Sequence, residues 1–214
     1  MSRPATHAGQ DGFTLTELLM GIVIGTIFMF AIYGFYDSSL SSETTHQGEV
    51  LAQGQARDAL NQLTSQLREA VSPDDGLTPP IVNLSPTQIE FYADLSRSPT
   101  ELMPKPEEFL YQVSGGSLIR QVAQPIGASP PYTYSAFSSA ETIVPSVANS
   151  SSSPLFSAIN GNGLALPATM SAPTTTGIEL VHINLLTNYT IGNSAQVFSL
   201  NTDVVPQNPT SGNR

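Results

Sequence analysis

Glu17 is a carboxylate placed where a charge is costly. It is the only charged residue in the run FTLTELLMGIVIGTIFMFAIYGFY, from Phe13 to Tyr36. Within an apolar membrane span a carboxylate costs roughly 2.5–3.5 kcal/mol. Two accounts of it are open. Either Glu17 snorkels to a membrane surface a few residues away, or it is kept for a partner or a function.

The other residues that could do chemistry are scattered. His7, His46 and His182 lie far apart with no metal-ligand spacing, so a solvent-facing or satisfied imidazole is expected at each. Asp74-Asp75 and Glu107-Glu108 lack the alternating oxygen ligands of a calcium loop, and Asp74-Asp75-Gly76 reads as a helix-terminating turn. No phosphate loop, nucleophile elbow or triad signature occurs. We therefore expect neither enzyme activity, cofactor nor metal.

The element that holds Glu17 is 24 residues of nearly continuous apolar sequence. As a helix it is roughly 36 Å long, enough to cross a hydrocarbon core of about 30 Å. It is too long for a secretory signal, and Tyr33-Gly34-Phe35-Tyr36-Asp37 offers no small-residue cleavage site after it. Arg3 precedes the span, whereas Asp37, Glu43 and Glu49 follow it, which places residues 1–12 in the cytoplasm and the bulk of the chain outside. Gly21 and Gly25 form a small-xxx-small pair that can let another helix approach.

Across the 214 residues, 17 Asp and Glu face seven Lys and Arg, for a net charge of -10, and no Cys is present. That balance argues against a nucleic-acid partner, because Arg57, Arg68, Arg97, Lys105 and Arg120 are few and dispersed. It also removes disulfides and thiolate chemistry from consideration.

Gly12-Phe13-Thr14-Leu15-Thr16-Glu17-Leu18-Leu19 resembles the prepilin signature: glycine before the cut, an aromatic first mature residue, glutamate at its fifth position, then a long apolar run. The resemblance implies that a prepilin peptidase cuts between Gly12 and Phe13 and methylates the new amino terminus. It further implies that Glu17 meets the amino terminus of a neighbouring subunit. Each charge alone in a low-dielectric bundle is costly, and an error of axial register leaves both unpaired. The implied partners are other major and minor pilins or pseudopilins, an inner-membrane assembly platform and a tip adhesin. Asp11 stands where the family often has Lys or Arg, and the mid-span proline common in major pilins is missing.

Beyond the span, Ala56, Leu60, Leu63, Leu67 and Val71 recur at helical spacing up to Pro73, which predicts a helix from Phe13 to about Val71 with a weak point near Gly34 or Gly48. Its second half, 37–72, is amphipathic. Strands are expected over Thr87–Ala93, Glu108–Val113 and Ser117–Val122, the last two joined through Gly115-Gly116, whose positive φ suits a tight hairpin. Residues 125–176, rich in Ser, Pro and Thr, read as a long loop, available as a contact surface. Two further strands follow over Gly177–Leu186 and Ala195–Val205, with turn chemistry at Asn188-Tyr189 and Gly192-Asn193.

The expected class is α+β, with a long N-terminal helix, half transmembrane and half amphipathic, packed on an antiparallel sheet. The expected division is a leader at 1–12, a span at 13–36, an amphipathic helix at 37–72 and a β-rich domain at 73–214. This order is similar to PilW-type minor pilins and J-type pseudopilins. It implies a minor subunit that initiates or tips a pilus. The alternatives are a secretion pseudopilin and, from another class, a surface adhesin. Either filament subunit starts as a single-pass inner-membrane protein and ends in an extracytoplasmic filament.

Overall fold

The computed structural model describes residues 14–74, 76–95, 105–191 and 194–206, with backbone alone at 38, 40–47 and 191. Gly12, Phe13, His7, Asp75, Gly192 and Asn193 lie outside the described residues, as does the side chain of His46. The chain divides into two units, 1–46 and 47–214.

One helix, α1, spans Leu15–Arg68, and Gly34 and Gly48 both lie within it. It ends earlier than the apolar spacing suggests because the backbone there turns to pair with a strand. Val71 N donates to Tyr92 O at 3.0 Å, and Ala70 bridges Ala93. The turn that follows is locked by Asp74, whose carboxylate accepts from Thr78 N at 2.6 Å and Thr78 Oγ1 at 2.7 Å, while Ser72 Oγ accepts from Gly76 N at 2.8 Å. Burial raises the Asp74 pKa, but the bonds from Thr78 and Ser72 outweigh it and leave the carboxyl below its ordinary value.

In the 47–214 unit, the buried face of α1 is Ala56, Ala59, Leu60, Leu63, Gln66 and Leu67. Steps of three and four keep these residues on one stripe. Against it lies a six-stranded antiparallel sheet. Its strands in chain order are β1 (Ile81–Ser85), β2 (Gln88–Ala93), β3 (Glu107–Ser114) and β4 (Ser117–Ala123). The short β5 (Pro125–Ile126) and β6 (Thr133–Tyr134) pair separately. Next come β7 (Glu141–Val144), β8 (Phe156–Ile159) and β9 (Met170–Ser171). The order in the large sheet is β7-β4-β3-β2-β1-β9. A second sheet, β11-β10-β8, uses β10 (Leu180–Ile191) and β11 (Ser194–Val204).

The β3–β4 hairpin closes as expected through Gly115 and Gly116, at φ +57° and +76°, a conformation costly for residues with a Cβ. Alternation then sends Phe91, Phe109 and Tyr111 to the helix side, where Phe91 stacks on Phe109 and Tyr111 at centroid distances of 5.6 and 6.2 Å. They join Leu63, Leu67, Ile89 and, from the second sheet, Phe156, Val181 and Ile183 in one core. At roughly 1.5–3 kcal/mol per buried large apolar side chain, this cluster is what holds the unit together.

Three expectations need correction. Residues 125–176 are not a plain loop: they supply β5 to β9 and put Val144, Val147, Leu155, Phe156, Ala158 and Met170 into the core. Pairing with strands elsewhere in the chain, rather than local alternation, makes β7, β8 and β9 strands. Asn188-Tyr189 sits inside β10, paired with Val197 and Gln196 of β11. Gly177 belongs to a 3-10 turn, Thr174–Gly177, ahead of β10.

Candidate functional site

The N-terminal turn of α1 shows how Glu17 is held. Thr14 precedes the first helical residue, and Glu17 is the third residue of the helix. Glu17 Oε2 accepts from Thr14 N at 3.1 Å and from Thr14 Oγ1 at 3.0 Å. In return, Glu17 N donates to Thr14 Oγ1 at 3.3 Å. This reciprocal pattern is a capping box, which satisfies backbone N–H groups that the first turn leaves unpaired. Among the described residues nothing donates to Glu17 Oε1, so half the carboxylate is open to a further partner.

The helix above it has no buried side. Leu15–Asp37 has a mean hydropathy of 2.3 and a span-like length of 23 residues. Its large apolar side chains are exposed all round, from Leu15 at 82% to Phe35 at 79%. A helix that is apolar on every face is stable only in lipid or among other apolar helices. Thr26 Oγ1 donates to Ile22 O within the helix, so its hydroxyl is satisfied without water. Glu17 is thus a lone carboxylate at the first turn of a surface that requires an apolar environment.

Several other charged residues have structural partners. His182 Nδ1 lies 2.6 Å from Asp203 Oδ1 across β10 and β11, on the solvent side. Arg120 meets Glu141 at 2.5 Å across β4 and β7. Glu107 accepts from Gln124 Nε2 at 2.6 Å. None of these groups is brought near another to form a catalytic constellation.

Two arrangements went unread in the sequence. Thr14 was readable, because Thr-x-x-Glu is the capping-box pattern. Glu90, Tyr92 and Glu108 were not, because pairing across β2 and β3 brings them together on the sheet face away from α1. There Glu108 is hydrogen-bonded to Glu90 and Tyr92. Burial, then the neighbouring Glu90, pushes the Glu108 carboxyl up to about 7. Asn83 Nδ2 donates to Glu90 Oε2 at 2.5 Å. Tyr134 packs on Tyr92 at a centroid distance of 5.0 Å, and burial followed by the two carboxylates raises the Tyr92 hydroxyl. The raised Glu108 thus belongs to a half-exposed acid pair set by strand packing rather than to a catalytic dyad in a cleft.

Comparison with known proteins bears on the first of these sites. The family model described as the prokaryotic N-terminal methylation motif matches residues 7–33, a stretch that includes Gly12, Phe13 and Glu17. No curated protein matches the chain. Among solved structures, a type IV-like pilin from Thermus thermophilus is similar at 10% identity and a TM-score of 0.48, covering 72% of this chain and 96% of that one.

Proposed function

We propose that this chain, a type IV pilin-like prepilin, is a minor pilin: a structural filament subunit that acts in initiating assembly or in the complex at the tip. A prepilin peptidase removes residues 1–12 and methylates Phe13. The chain waits as a single-pass inner-membrane protein until an assembly platform moves it into a filament of major and other minor pilins.

The observation that carries this reading is the open Oε1 of Glu17 at the start of a fully exposed apolar helix. Cleavage after Gly12 creates an ammonium at Phe13. In a bundle of such helices, that ammonium on one subunit and Glu17 on the next neutralise each other. Because an unpaired charge there costs several kcal/mol, the pair acts mainly on axial register. The capping box supports the reading, since it fixes the carboxylate at the helix end while using only one of its oxygens. A minor rather than major role is favoured by the absence of proline from the apolar helix.

Mass spectrometry of the mature protein tests the scheme. The expected N-terminus is N-methylated Phe13. A mature chain beginning elsewhere, or an uncut leader in cells with active peptidase, overturns it. Its copy number in purified filaments, expected to be far below that of the main subunit, tests the minor role.

A further inference from the structure

In the 47–214 unit, a groove of about 600 Å³ lies between α1 and β11, with Arg57, Leu60 and Arg68 on the helix wall, Glu69 just past the helix end, and Leu200 to Thr202 on the strand wall. Three features of it converge. First, β11 is an outer strand: it pairs with β10 on one side, and among the described residues no other backbone group bonds to it. A strand edge with unpaired N–H and C=O groups is a template for another strand. Second, Leu200 packs against the core from this edge, so the groove has an apolar base.

The third feature is charge. Four Lys and Arg residues are described in a chain of net charge -10, namely Arg57, Arg68, Lys105 and Arg120. Two of them, Arg57 and Arg68, line this groove, and both are exposed. Neither has an ion-pair partner among the described residues, whereas Arg120 is held by Glu141. Eleven residues along a helix return to nearly the same face, at roughly 16 Å of axial separation. Glu69 at one end leaves the groove with a net positive charge.

We infer that this groove receives an extended, acidic segment of a partner protein. The segment pairs its backbone with the free edge of β11 and its carboxylates with Arg57 and Arg68. In an extended chain, side chains four or six positions apart share a face and lie roughly 13 or 20 Å apart, which brackets the spacing of the arginines within side-chain reach. The chain's own C-terminal residues, 207–214, are excluded as the occupant by charge, because they contain Arg214 and no Asp or Glu. The inference concerns a surface of the 47–214 unit and stands whichever filament the chain enters.

The test uses the full-length protein in detergent micelles and an eight-residue Thr/Val peptide with Glu at its third and seventh positions. The same peptide with Gln at both positions serves as the control. We expect binding of the acidic peptide, measured by fluorescence anisotropy, and slowed amide exchange over 198–204. Two exposed ion pairs together predict binding roughly tenfold weaker for the Gln peptide and for Arg57→Gln/Arg68→Gln. Arg57→Lys/Arg68→Lys is expected to retain most of the affinity. All these side chains are exposed, so the unfolding midpoint serves as the folding control. Equal binding of both peptides, no binding of either, no protection of β11, or preference for a thymidine oligonucleotide over the acidic peptide each overturns the inference.

Discussion

The hydroxyl of Tyr111, on β3, donates to Gln66 Oε1, on α1, at 2.7 Å, with both residues buried in the 47–214 unit. Burial pushes the Tyr111 hydroxyl up to about 12, with the nearby Arg120 opposing, so the group remains a donor at any working pH. A polar residue on the buried stripe of a helix is costly unless paired, and this bond is how Gln66 is tolerated between Leu63 and Leu67.

Removing only the donor should therefore cost more than removing the pair. Tyr111→Phe leaves Gln66 buried without its donor, and a loss of about 1–3 kcal/mol is expected. Tyr111→Phe/Gln66→Leu replaces both groups with apolar ones and should recover most of it. Urea unfolding followed by circular dichroism checks both. If the double variant is as unstable as the single one, Gln66 is not held by this bond.

The two faces of the same helix should respond oppositely to truncation. Leu63 is 0% exposed and surrounded by the core, so Leu63→Ala is expected to cost about 2–5 kcal/mol through lost burial and the cavity left behind. Asn61, two residues earlier, is exposed, and Asn61→Ala should stay within about 0.5 kcal/mol. The unfolding midpoints of the two variants measure the contrast.

That contrast also marks how far the sequence could be read. Leu60, Leu63 and Leu67 announce their helix because burial follows its period, and Gly115-Gly116 announces its hairpin because few other residues tolerate the turn. Phe156 and Met170 gave no such signal. Their strands are only four and two residues long, and their partners, β10 and β1, are fixed by tertiary pairing that no local pattern records. The Ser- and Pro-rich composition around them pointed to a loop, yet Leu155 and Phe156 are buried. Deleting 125–176 would accordingly remove part of the core rather than trim a surface. The groove beside Arg57 and Arg68 was hidden for a related reason, since its second wall comes from the far end of the chain.

The Glu90–Glu108 pair makes stability depend on pH, and the sign follows from the direction of its shift. Folding raises the Glu108 carboxyl from 4.5 to about 7, so the folded state holds a proton that the unfolded chain releases at lower pH. The stabilisation is fully present below pH 4.5 and is lost as pH rises through about 7. Because the pair is half-exposed and screened by solvent, the loss is expected to be on the order of 1 kcal/mol. Thermal unfolding at several pH values between 4 and 8 measures it. Glu108→Gln, which keeps a donor toward Glu90 and an acceptor for Tyr92, should flatten the dependence. An unchanged slope in that variant would falsify the assignment.

At the other end of the chain, Glu17 serves two roles that substitution can separate. One is the capping box with Thr14, which satisfies backbone N–H groups of the first turn. The other, proposed here, is pairing with the terminal ammonium of a neighbouring subunit. Thr14→Ala removes the hydroxyl of the cap and leaves the carboxylate, so assembly should be nearly normal. Glu17→Gln keeps an acceptor for the Thr14 N–H and removes the charge. It should be inserted and cut normally, yet enter filaments roughly tenfold less, because a buried ammonium is left unpaired. Glu17→Ala loses both roles and should be no better incorporated than Glu17→Gln. The quantity to compare is the fraction of each variant in sheared filaments relative to the membrane pool. If Glu17→Gln assembles like the native chain while Thr14→Ala does not, the glutamate is only a cap, and the register role is lost with it.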